Sequence, residues 1–116
     1  MSSGTYNITL EQGADFYLSM QLTDENDAVI DLTGYTARLQ IRQYSFSPTP
    51  AITATTENGK ITIVPISGTI VVRISNTETT TLNFRRGLYD LEIVDSLGEV
   101  TRLLQGTVIN SVEVTK

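Results

Sequence analysis

From Tyr35 to Arg42 the chain alternates without a break: Tyr35, Ala37, Leu39 and Ile41 fall on one set of positions, Thr36, Arg38, Gln40 and Arg42 on the other. A repeat of two throws successive side chains to opposite faces, the geometry of a strand with one buried face and not that of a helix. The same pattern runs through Ala14 to Leu22, where Phe16, Leu18, Met20 and Leu22 alternate with Tyr17, Ser19 and Gln21. Leu88 to Val94 reads as a further strand, closed by the turn Asp95-Ser96-Leu97-Gly98. These segments predict an all-β fold.

Turn chemistry divides the rest. Thr5 to Leu10 predicts a short first strand, with residues 1–4 as a flexible tail. Thr23-Asp24-Glu25-Asn26-Asp27 supplies a polar turn and Asp31-Leu32-Thr33-Gly34 a second reversal, leaving Ala28 to Ile30 room to pair only briefly. Gln43 to Pro50 has little periodicity, and Pro48 and Pro50 cannot donate to a ladder, so this stretch predicts a surface loop. Asn58-Gly59 favours the positive φ of tight turns, and predicts a hairpin joining Ala51 to Thr56 with Lys60 to Val64. Ile70 to Ser75 follows as a strand, and Asn76 to Leu82 offers a capping residue and one short helical turn. Glu99 to Leu104 and Thr107 to Val114 complete the chain as a pair of strands, or as one long strand bent around Gly106.

Seven to nine short strands with frequent turns suit a sandwich or a barrel. A chain of 116 residues is the size of one domain, 1–116, able to bury about two-thirds of its unfolded surface without a metal or disulfide. Leu82, Gly87 and Tyr89, ahead of the alternating Leu91 and Ile93, resemble the tyrosine corner of immunoglobulin and fibronectin type III domains, whose hydroxyl bonds back to upstream backbone. The expected architecture is therefore an immunoglobulin-like antiparallel β-sandwich. It lacks the cysteine pair and tryptophan of antibody domains.

Composition narrows the chemistry. With neither cysteine nor histidine, the chain has no thiolate or imidazole for nucleophilic catalysis, for neutral-pH acid/base work or for the usual zinc shells. A net charge of −5 disfavours nucleic acid as a partner. The N-terminus lacks the basic-then-apolar pattern of a signal peptide, and no segment approaches a membrane span, so a protein made in the cytoplasm with no membrane partner is expected. Asp24, Glu25, Asn26, Asp27 and Asp31 gather oxygen ligands that suit calcium, but without the glycine and glutamate of an EF-hand loop they read as a solvated turn. Asp90 and Glu92, two apart, share one face of a strand, where cross-strand pairing with Arg38, Arg42 or Arg102 is expected in place of the opposed carboxylates of a glycosidase. The adjacent Arg85 and Arg86 suggest surface ion pairs. Neither a catalytic residue nor a cofactor is assigned.

Several runs carry a resemblance: Ile8-Thr9-Leu10-Glu11-Gln12-Gly13-Ala14-Asp15-Phe16, Asp31-Leu32-Thr33-Gly34-Tyr35, Arg38 to Arg42, Tyr89-Asp90-Leu91-Glu92, and Arg102-Leu103-Leu104-Gln105-Gly106. Over residues 8–115 the chain resembles small structural proteins of tailed bacteriophages, including the immunoglobulin-like N-terminal domain of baseplate upper proteins. The resemblance implies a non-enzymatic virion component, assembled in the host cytoplasm. It would dock as an adaptor on other virion proteins of tail, baseplate or capsid, in several copies of a symmetric assembly. It supplies no catalytic residue. The alternative is a carbohydrate-binding sandwich that aids host adsorption, with Tyr17, Tyr35, Tyr44 and Phe46 as stacking surfaces.

Overall fold

The computed structural model describes residues 4–112. Their elements, in chain order, are β1 (Gly4–Thr5), β2 (Ile8–Glu11), β3 (Phe16–Gln21), β4 (Thr36–Arg42), β5 (Ile52–Thr55), β6 (Ile61–Val64), β7 (Thr69–Ile74), α1 (Asn76–Thr80), β8 (Arg86–Val94) and β9 (Val100–Ser111). The larger sheet runs β1-β9-β8-β4-β5, with β2 also on β9; the smaller runs β3-β7-β6. β1 and β2 lie parallel to β9, and every other pairing is antiparallel. This is an all-β, immunoglobulin-like sandwich.

The alternation predicts which faces meet. Ala37, Leu39 and Ile41 of β4 and Leu91 and Ile93 of β8 are buried against Ile70, Val72 and Ile74 of β7, and Leu10 and Val108 extend the core under β2 and β9. Burying each of the leucine, isoleucine and valine side chains among these stabilises the fold by about 1.5–3 kcal/mol. The one helix among the described residues is short, as expected, but its cap is Ser75, the residue before the run expected to supply it. Ser75 Oγ accepts from the Glu78 N–H while the Glu78 carboxylate accepts from the Ser75 N–H, a capping box.

Three expectations change. The predicted hairpin is a crossover: β5 pairs with β4 in the larger sheet, and β6 with β7 in the smaller. Asn58 is the reason. Its Oδ1 accepts from the Thr55 N–H at 3.0 Å and its Nδ2 donates to the Thr53 carbonyl at 3.0 Å, so its amide occupies the edge of β5 where a hairpin partner would lie. The first strand is two pieces, and it begins in the expected tail: Gly4 pairs with Leu104. Residues 1–3 of that tail, and Val114 at the far end of the expected last strand, lie outside the described residues. Of the two readings of the last segment, the single long strand is the one present, with Leu103 inserted as a bulge between the Leu91–Leu104 and Glu92–Arg102 pairs.

The third change concerns Leu82, Gly87 and Tyr89. All three are buried, but the Tyr89 hydroxyl donates to the carbonyl of Tyr6, not to the connection before β8. Two side-chain amides already hold that connection: Gln12 Nε2 donates to the Leu82 carbonyl at 3.0 Å, and Asn110 Nδ2 to the Phe84 carbonyl at 2.8 Å. Gly87 is still required, because a Cβ there would stand 2.6 Å from the Arg42 carbonyl oxygen and 2.8 Å from the Phe84 ring. Tyr89 instead fastens the N-terminal strand, across Gly106, its partner in β9. A Cβ on Gly106 would overlap the Tyr6 carbonyl, so glycine lets that backbone turn inward to the hydroxyl. Burial, and then the proximity of Tyr6, push the Tyr89 phenol from its usual 10.0 up to about 12.

Candidate functional site

The outer face of the larger sheet carries the most developed surface. Its register builds rows across β4, β8 and β9: Arg38–Glu92–Arg102, then Gln40–Asp90–Gln105, then Arg42–Leu88–Thr107. Directly opposite residues on one face are close enough to interact, and the rows follow chemistry accordingly. Arg38 Nε meets Glu92 at 2.8 Å, and Arg102 Nε lies 3.7 Å from Asp90 and 4.0 Å from Glu92. The expected pairing of these carboxylates with Arg38 and Arg102 is thus present. Arg42 is held otherwise, donating to Gln40 Oε1 at 3.1 Å and to the Ser47 carbonyl of the following loop.

Asp90 is partly buried on this face. Burial, followed by the Glu92 charge, raises its pKa above the ordinary carboxylate value, against the pull of Arg102, Arg38 and Arg42. Burial prevails because the nearest guanidinium is 3.7 Å away and exposed to solvent. Above Asp90 lies an open hollow of about 540 Å³, bounded by Asn7, Gln40, Arg42, Arg102 and Gln105. Amides and guanidinium groups on a shallow floor can hydrogen-bond a polar ligand or a partner's backbone. Asp90 and Glu92 stand side by side on one strand rather than facing each other across a cleft, the placement that glycoside hydrolysis needs.

A second hollow adjoins the first, with Ser45 and Leu88 on the border of both. There the loop after β4 stacks Tyr44 on Phe46, ring centroids 5.2 Å apart and planes within 2°. Phe46 is 80% exposed, Tyr44 52% and Leu88 43%, and Arg86 lines the same hollow. Of the four aromatics considered for stacking, only these two come together. Tyr17 lies on the other sheet with the Arg73 guanidinium 5.7 Å from its ring centre, and Tyr35 packs against the core. Among the described residues neither Arg85 nor Arg86 makes the expected ion pair.

The acidic turn forms no cluster. Asp24 Oδ1 accepts the N–H groups of Asn26 and Ala28 at 2.8 and 3.0 Å, and Asp31 Oδ1 accepts the N–H and hydroxyl of Thr33 at 2.9 and 2.6 Å. The Thr33 hydroxyl, then its N–H, hold the Asp31 carboxyl below its ordinary pKa. Among the described residues no three Asp, Glu, His or Cys side chains converge as a metal site would require, and no helix is long and apolar enough to cross a membrane. Neither the models of known protein families nor the curated proteins contain a match to this chain.

Proposed function

We propose that this chain is a non-enzymatic structural module of a bacteriophage virion, which docks on other virion proteins in a tail, baseplate or capsid. The virion assignment rests on the resemblance described above. The observation that carries docking is the exposed Tyr44–Phe46 stack with Leu88 and Arg86 beside it. Aromatic and arginine side chains are the residues that dominate binding energy at protein interfaces. The proline-bearing loop after β4 presents the two rings beside Arg86 and Leu88 of β8. The test is a double substitution, Tyr44→Ala with Phe46→Ala, which touches exposed side chains and leaves the core intact. Incorporation into purified particles should fall about tenfold or more, as loss of a binding hot spot predicts. Wild-type incorporation would remove this face from the interface.

A second reading draws on the same border. An aromatic stack beside a hollow bearing Asn7, Gln40 and Gln105 amides suits a saccharide, which stacks its apolar face and hydrogen-bonds its hydroxyls. Glycan-array binding that Phe46→Ala and Gln40→Ala both abolish would favour adsorption over assembly.

A further inference from the structure

Strand β3 is an open edge. In the β3–β7 ladder the Leu22 N–H donates to the Gly68 carbonyl, which continues the register that pairs Phe16 with Ile74 and Met20 with Ile70. Antiparallel ladders alternate, so the even-numbered residues bond to β7 and the N–H and C=O groups of Tyr17, Ser19 and Gln21 point to the free side. Among the described residues nothing pairs with those groups. The side chains tell the same story. Ile70, Val72 and Ile74 of β7 are at most 1% exposed, whereas Phe16, Leu18 and Met20, on the same face one strand out, are only partly buried.

Natural sheets protect their edges with charges, prolines, bulges or covering groups. The edge of β5 has such a cover in the Asn58 amide. β3, Phe-Tyr-Leu-Ser-Met-Gln, has no charge, no proline and no bulge. Asp15 Oδ1, at its start, accepts from the backbone N–H and the Nδ2 of Asn76 at 2.6 and 3.1 Å.

We propose that β3 pairs antiparallel with β3 of a second copy, about a two-fold axis through Ser19. The occupant this edge needs is an uncharged strand with apolar residues on alternate positions facing the core, and β3 is such a strand. The axis sets Ser19 opposite Ser19 and Tyr17 opposite Gln21, each pair exchanging both of its N–H···O bonds. It places Leu18 beside Met20 of the partner on the core side, completing the cover that Phe16, Leu18 and Met20 lack. No like charges meet. The two three-stranded sheets become one continuous sheet, an isologous contact of the kind that closes a dimer. The proposal depends on the edge alone and holds whether or not the chain belongs to a virion.

Sedimentation velocity across a micromolar to millimolar concentration series tests it. The wild type should pass from monomer to dimer, and Ser19→Pro should stay monomeric with an unchanged far-ultraviolet spectrum, because that N–H faces the free edge. A wild type that stays monomeric throughout, or a dimer that Ser19→Pro leaves intact, overturns the proposal. Should Ser19→Pro fail to fold, Ser19→Cys decides, since the chain has no other cysteine. Opposed Cα atoms of a hydrogen-bonded pair lie about 5.5 Å apart, within disulfide range, so oxidation should yield about ten times more covalent dimer than from the exposed Thr77→Cys. Equal yields from the two overturn it.

Discussion

Tyr89 illustrates how one side chain can be correctly singled out and its partner missed. Its burial follows from the alternation with Leu91 and Ile93, but the acceptor, Tyr6, is 83 residues away, and no local pattern points to it. Replacing Tyr89 by Phe strands the Tyr6 carbonyl and should cost about 1–2 kcal/mol in urea unfolding. The pH dependence has a definite sign. A phenol that ionises near 10 when unfolded and near 12 when folded keeps its proton in the native state, so its contribution is intact below pH 10 and is lost as pH rises towards 12. Ultraviolet titration should show a late phenol step near pH 12, and Tyr89→Phe should abolish that step and flatten the alkaline loss of stability. A late step that survives the substitution would refute the assignment. Gly106→Ala, which forces a methyl into the Tyr6 carbonyl, should cost about 1–3 kcal/mol, as overpacking does. Acid unfolding should respond at Asp90 in the opposite sense to a paired carboxylate. Because its pKa is raised, its charge is a cost at neutral pH that protonation relieves, so Asp90→Asn should be at least as stable as wild type at pH 7 and converge on it as pH falls.

At the scale of elements, strands were legible wherever one face is buried, because a period of two leaves no other fold for Thr36–Arg42 or Phe16–Gln21. What joined them was less so. Asn58-Gly59 has the chemistry of a tight turn, with Gly59 at positive φ, yet the chain uses it to pass between sheets. The decision lies in the Asn58 side chain, which satisfies the edge of β5 and so competes with the pairing that its backbone would otherwise start. Asn58→Ala should uncover the Thr53 carbonyl and the Thr55 N–H, lowering stability by about 1 kcal/mol and raising light scattering on heating. Unchanged stability and scattering would show that the edge needs no cover. The candidate site was half legible. The pairing of Glu92 with Arg38 follows from strand alternation alone, whereas the meeting of Tyr44, Phe46, Arg86 and Leu88 depends on a loop conformation and a strand order that periodicity does not encode.

At the scale of the molecule, the two sheets offer two distinct surfaces. The larger carries a patterned outer face with an aromatic and arginine cluster at one end, and the smaller carries an open edge that fits a copy of itself. In the proposed reading such a module closes a dimer through its edge and engages other virion proteins through its face, so that each pair enters a symmetric particle as one unit. Negative-stain imaging of purified phage particles, with a tag or antibody on this chain, tests that account most directly. It predicts label at fixed, symmetry-related positions on the tail, baseplate or capsid, and absence of the chain from particles would contradict it.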